Sequence, residues 1–207
     1  AEEEGKGSAL AQSGVRVLIV AGEPGGSIPA TRWRIEESWG ARVIDHHGLT
    51  ETGPLSFECL EAPGGLHVNE AEYICEVVDP LTGSPLPDGQ QGELVVTNLG
   101  RSSSPINRYR TGDIVVKRSD RCGWGRTWAG LEGGILSRAD DMINIRGVNV
   151  YPAAIESVLR QFPEITEFRS TVTRAGTMPS LSIEIEPATA IADATALVTR
   201  LTYQLRE

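Results

Sequence analysis

The sequence predicts an α/β chain in two parts: a parallel strand–helix–strand segment continued by a small antiparallel barrel, then a small α+β unit. Three observations lead there. Val15 to Val20 is a nearly continuous apolar run, followed by a helical pattern and a second apolar run at Ala41 to Asp45. Between Tyr73 and Lys117 the period drops to two, broken by turn-rich segments. Beyond a polar bridge from Ser137 to Asn149, two helical patterns flank two strand patterns.

The elements follow in order. Residues 1–14 hold Glu, Gly and Ser with little apolar periodicity and read as a flexible arm. Val15-Arg-Val-Leu-Ile-Val20, closed by Gly22, suits a strand buried on both faces of a parallel sheet. Ser27 to Trp39 reads as a helix: Ser27 caps it, Pro29 fits its first turn, Ile35 and Trp39 share a face, and Gly40 stops it. Trp33 and Trp39 are expected to pack on the sheet. With the strand Ala41 to Asp45 this makes a crossover unit, the mark of a layered α/β domain. Strands at Tyr73 to Val78, Gly92 to Thr97 and Asp113 to Lys117 alternate and are split by Asp79-Pro-Leu-Thr-Gly83 and Pro85 to Gln90. Pro152 to Phe162 is an amphipathic helix with Ile155, Val158 and Leu159 inward. Strands at Glu167 to Thr173 and Leu181 to Glu186, then a helix from Ala192 to Leu205, complete the second unit. The domain limits are therefore 15–137 and 138–207.

Composition narrows the function. Over 207 residues, 40% hydrophobic content supports a real core, and a net charge of −9 opposes non-specific attraction to nucleic acid or an anionic membrane. No stretch approaches the roughly 20 apolar residues that span a bilayer, and the acidic start is unlike a signal peptide. Three cysteines are too few for a disulfide framework, which agrees with a reducing, cytoplasmic location.

Ligands of parallel α/β sheets bind at the carboxyl ends of the strands, where Gly22-Glu-Pro-Gly-Gly26 and Asp45-His-His-Gly-Leu-Thr-Glu51 fall. Thr50 is a hydroxyl donor, Glu51 a carboxylate able to hold a cation, and Asp113 an acceptor for two hydroxyls. Each alone reads most simply as a loop or cap residue.

Their order changes the reading. Gly22-Glu-Pro24, His47-Gly-Leu-Thr-Glu51, Tyr109-Arg-Thr-Gly-Asp113, Arg138 to Gly147 and Val148-Asn-Val-Tyr-Pro152 together resemble the successive motifs of the adenylate-forming superfamily. Arg146-Gly-Val-Asn-Val-Tyr-Pro152 and Gly65-Leu-His67 resemble its phenylacetate-CoA ligase branch. The resemblance runs from about Val15 to Glu186. It implies that residues 15–137 are the back part of a large adenylating domain and 138–207 its small mobile carboxyl-terminal domain. It further implies ATP, Mg2+ and coenzyme A as cofactors and a small aromatic carboxylic acid as substrate, with pairing into a homodimer.

Residue by residue, the resemblance implies that Gly22, Glu23 and Pro24 line the adenine and acyl pocket. Thr50 would touch the phosphate, Glu51 the magnesium, Asp113 the ribose, and Arg138 the ribose or phosphate. Asp140 takes the place of the pivot between adenylation and thioester formation, and Gly147 lines the pantetheine tunnel. His47, next to Gly48, stands where the family carries an aromatic residue, usually Tyr; imidazole stacks on adenine over less area.

Neither a glycine-rich phosphate loop nor any lysine after Lys117 is found. The expectation is therefore a fragment that does not complete the reaction alone. Two other readings stay open: an adenylating enzyme whose acceptor is not coenzyme A, and a non-catalytic module that holds nucleotide or acyl group. Some members of the branch hold a structural zinc with Cys, His and a Cys-x-Cys pair. Cys59, His67 and Cys122 match, but Trp124 replaces the last cysteine and indole is no ligand. Zinc is therefore set against ordinary buried thiols, with the thiols favoured, and Cys75 is assigned to the core.

Overall fold

A computed structural model describes residues 10–22, 26, 28–120, 122–123, 125–145, 148–173, 179–188 and 193–205. The chain divides into two compact units, Ala1–Ala139 and Asp140–Glu207.

The first unit opens with β1 (Val17–Val20), α1 (Pro29–Trp39) and β2 (Arg42–Leu49), and β1 pairs with β2 in parallel, Val17 opposite Arg42 and Val20 opposite Asp45. Pro29 sits in the first turn of α1 as expected, and Gly40 closes it at φ 60 in the left-handed region. Ser27 lies outside the described residues, and Ile28 holds the capping position without a side-chain cap.

Two expectations fail here. β1 is not buried on both faces: Val17 is 47% and Ile19 69% exposed, because β1 pairs only with β2 and nothing among the described residues covers its outer side. Trp33 is 61% exposed rather than packed. No residue of α1 is fully buried, and Trp33 shares that exposure.

From β2 the sheet turns antiparallel through β3 (Gly53–Cys59) and β4 (Ala62–Val68), then β5 (Tyr73–Val78), β6 (Gln91–Asn98) and β7 (Tyr109–Arg118), with the short β8 (Gly130–Leu131) and β9 (Ser137–Arg138). The spatial order is β1-β2-β3-β4-β8-β7-β6-β5, with β9 on β7. One core joins Leu55 of β3, Leu66 and Val68 of β4, Tyr73 of β5, Leu94 and Val96 of β6, Val115 of β7 and Leu131 of β8. Strands at the two ends of this stretch share a core only if the sheet curls strongly, and the Tyr73 hydroxyl donates to Thr52 O at 2.7 Å across that curl. Burying each such side chain contributes about 1.5–3 kcal/mol. Cys75 packs against this core and its thiol is pushed up to about 12 by burial, so it is inert at neutral pH.

The second unit holds the hairpin of β10 (Ile143–Ile145) and β11 (Val148–Val150), α2 (Pro152–Leu159), the antiparallel pair β12 (Ile165–Thr173) and β13 (Ser180–Pro187), and α3 (Ala194–Gln204). Ile155, Leu159, Ile165, Leu197 and Leu201 form its core. Asp193 caps α3, its carboxylate accepting from Ala196 N at 2.9 Å.

Candidate active site

Asp113 is the centre of the site. It lies on β7, 3% exposed, and its backbone N–H donates to Thr111 Oγ1 at 3.0 Å, while the Thr111 hydroxyl donates to Leu94 O at 2.9 Å. Both carboxylate oxygens are engaged. Arg138 Nη1 donates to Oδ1 at 3.0 Å and also to Thr111 O at 2.9 Å; His47 Nε2 lies 2.9 Å from Oδ2. Arg138 reaches Asp113 because β9 pairs with β7 in the register that sets the two residues opposite each other. His47 reaches it from β2 across the curl. Burial alone pushes the Asp113 carboxyl up, but the His47 bond and charge and then Arg138 outweigh it and hold it below the usual carboxylate range. Asp113 is thus ionised at neutral pH and accepts only.

The residues before Asp113 fix this geometry. Gly112 has φ 78, a left-handed backbone that favours glycine, and a Cβ there would lie 2.7 Å from Arg138 Nη2 and push the guanidinium aside. Glu93 is buried, pairs with Arg110 and accepts from Gly112 N at 3.2 Å. Tyr109 lies beside Glu51: loss of hydration and then the Glu51 carboxylate raise the Tyr109 phenol, and the Asp113 charge adds to the effect. Glu51 and Asp113 therefore both act on the same tyrosine.

Thr50 and Glu51 are exposed in the turn between β2 and β3, not in a loop following Asp45 as expected: β2 continues to Leu49. The extension arises because His46 and His47 pair with Phe57 and Ser56 of β3, with an irregularity before Gly48. At Gly48 a Cβ would meet Gly53 O at 2.6 Å, so the turn closes on glycine. Thr52 Oγ1 accepts from Leu49 N at 3.3 Å and donates to Gly53 O at 2.9 Å. Arg101 Nη1 donates to Glu51 O at 2.9 Å.

Gly22 is exposed at φ 85; Glu23 and Pro24 lie outside the described residues. A buried ionic corner joins α1 and β3. Arg32 of α1 grips Glu58 of β3 with two bonds, Nη1 to Oε1 at 2.5 Å and Nη2 to Oε2 at 3.0 Å. Glu58 also accepts from Asp45 N at 2.9 Å and Gly64 N at 2.7 Å. The Asp45 carboxyl, raised by burial and then by Glu58, packs against Gly26, where a Cβ would come within 2.9 Å of it.

Cys59, His67 and Cys122 come together, their ligand atoms within 4.8 Å of one another and the two sulfurs 4.0 Å apart. His67 Nδ1 bonds Trp128 O at 3.2 Å, so Nδ1 carries the proton and Nε2 offers its lone pair. Trp124 lies outside the described residues. Asp140 is exposed at the start of the second unit; Gly147 lies outside the described residues. The sequence reading gave His47 only a stacking role and missed Thr111, Thr52, Glu93 and the Arg32–Glu58 pair. Strand alternation, which puts Thr111 on the face of Asp113, is the signal that identifies the first of these.

Two family models match the chain, AMP-binding enzyme over residues 1–101 and AMP-binding enzyme C-terminal domain over residues 147–207. The phenylacetate-coenzyme A ligase of Thermus thermophilus is 42% identical over 160 residues, and that of Escherichia coli 37% over 175. The chain belongs to the AMP-binding enzyme family. These alignments take in 76% and 83% of the chain, which spans only 36% and 39% of the length of those relatives. A non-canonical nonribosomal peptide synthetase of Aspergillus hancockii is 28% identical over 227 residues, covering 90% of this AMP-binding chain and 21% of its own length. Among solved structures, a 2-hydroxyisobutyryl-CoA ligase in the postadenylation state superposes with a TM-score of 0.85 at 34% identity, covering 95% of this chain and 43% of that one. The fold of this family member is the adenylate-forming ligase fold. Among its described residues no helix is long and apolar enough to cross a membrane.

Proposed function

We propose that the protein activates an aromatic or arylacetic carboxylate with ATP and transfers it to coenzyme A. The observation that carries this is the buried Asp113 carboxylate, held at one oxygen by His47 and at the other by Arg138, with Glu51 beside Tyr109 of the same strand. In the first step a carboxylate oxygen attacks the α-phosphorus and pyrophosphate leaves; in the second the thiolate of coenzyme A attacks the acyl carbon and AMP leaves. Asp113 accepts from the ribose hydroxyls and Arg138 steadies ribose or phosphate. Thr50 donates to the phosphate. Gly22, Glu23 and Pro24 line the pocket for adenine and acyl group. Glu51 fits a magnesium ion, which is commonly held by one or two carboxylates plus substrate phosphates; the ion would neutralise phosphate charge. Residues 15–137 act as the nucleotide-binding part and 138–207 as the mobile part, pivoting at Asp140 and presenting Gly147 to pantetheine.

The setting is the cytoplasm, in keeping with cysteines free of disulfides among the described residues. Cys59, His67 and Cys122 are read as ordinary thiols and a hydrogen-bonded histidine in preference to a zinc site, since a structural zinc takes four protein ligands and three stand together among the described residues. The two sulfurs would fit the ion, 4.0 Å apart against roughly 3.8 Å for two thiolates on a tetrahedral zinc. Metal analysis of purified protein reads this directly: no stoichiometric zinc is expected, and one zinc per chain, lost in Cys59→Ser, overturns the reading.

A second reading, an acceptor other than coenzyme A, is favoured by the likeness to the peptide synthetase. Acid-dependent pyrophosphate exchange and thioester formation by the full-length protein separate the two. Exchange with thioester supports the first reading, exchange without thioester the second, and absence of exchange refutes both.

A further inference from the structure

We propose that His47 is a positioning residue that holds the Asp113 carboxylate in the orientation the ribose hydroxyls need. The inference rests on the ribose role given above to Asp113. A carboxylate has about four acceptor positions on two oxygens. Arg138 takes one on Oδ1 and His47 one on Oδ2, which leaves one on each oxygen, a matched pair for two neighbouring hydroxyls. The carboxylate torsion of Asp is broad and easily turned, so a donor on one oxygen alone does not fix its plane. His47 supplies the second anchor from a different strand, a role set by its ring edge and separate from any stacking by its face.

Asp113 accepts only, so His47 Nε2 donates to it. Nδ1 is buried with no partner among the described residues, and the His47 side chain is 10% exposed, so the bond to Asp113 is what orients the ring there.

The test uses the full-length protein and adenosine, whose ribose carries both hydroxyls and which has no phosphate to titrate or to bring magnesium to Glu51. Calorimetry at pH 7.5 reads the affinity of wild type and variants. His47→Gln keeps an N–H donor and is expected to bind within about threefold of wild type. His47→Ala is expected to bind at least tenfold more weakly at pH 7.5. Circular dichroism confirms that each variant is folded. Wild-type affinity in His47→Ala, or His47→Gln binding as weakly as His47→Ala, overturns the inference. If Asp113→Ala abolishes binding while the His47 variants match wild type, only the role of His47 falls. If Asp113→Ala binds as wild type does, the ribose assignment falls with it.

Discussion

Arg32→Ala is expected to destabilise the first unit by about 3 kcal/mol, and the structure shows why the figure is not larger. The side chain makes two bonds to Glu58, one to Val43 O and a long one to Gly26 O at 3.4 Å. The two partners are 13% and 2% exposed at the side chain, so solvent screens the pair little. Removing one member of a buried pair generally costs about 3–5 kcal/mol because the other charge stays buried. Glu58 keeps two backbone donors, Asp45 N and Gly64 N, after the loss, which places the cost at the lower end. Urea unfolding followed by tryptophan fluorescence reads it. With a slope of about 1–3 kcal/mol per molar urea, the midpoint should fall by at least ~1 M. Arg32→Ala/Glu58→Gln should be less destabilised than the sum of the two single variants. An Arg32→Ala protein within about 1 kcal/mol of wild type would show that the pair behaves as a surface salt bridge and would refute the reasoning.

Other outcomes follow from the same geometry. Asp113→Ala in the full-length protein is expected to weaken ATP binding by about 1.5–3 kcal/mol, read by calorimetry; unchanged affinity contradicts its ribose role. Asp45 and Glu58 titrate in opposite senses. Burial raises Asp45, so its contribution to stability is complete below its unfolded pKa and is lost as pH rises through the raised folded value. Asp45→Asn should therefore raise the urea midpoint at pH 7.5 and leave it near wild type at pH 3; equal effects at both pH values would contradict this. In Glu58, burial opposes ionisation but Arg32 and the two backbone donors prevail, so its contribution is present above the unfolded pKa and lost as pH falls through the depressed folded value. Gly48→Ala should cost about 1–3 kcal/mol, since the new methyl meets backbone at Gly53 and not a movable side chain; a midpoint equal to wild type would show that the turn gives way.

The parts of the fold that sequence disclosed are those with a clean period. The β1–α1–β2 crossover follows from two apolar runs around a Pro-started, Gly-ended helix, and β5, β6 and β7 follow from alternation between marked turns. β3 and β4 stayed hidden. Pro54, Pro63, Gly64 and Gly65 interrupt their pattern, and Glu58 and His67 put buried polar residues where alternation expects apolar ones. The exposure of Ile19 and Trp33 was misread because an apolar residue states a preference for burial and not what is present to bury it. At the site, motif spacing named Asp113, Arg138 and Glu51. It was silent on the His47–Asp113 bond, which depends on how far a sheet curls, and on Arg32–Glu58, whose members are distant in sequence. Cys59, His67 and Cys122 were grouped by resemblance, and their proximity in space is a property of the β3–β4 hairpin and the turn before β8.

The curl of the first unit also sets an order of events. His47 and Asp113 are 66 positions apart in the chain, so their meeting closes a long loop whose entropy is repaid only after the intervening strands have paired. A newly made chain with β5, β6 and β7 assembled would carry Asp113 and Arg138 yet still lack the imidazole anchor. The two-sided grip on Asp113 is thus expected late in folding, with the closure that brings β2 to β7.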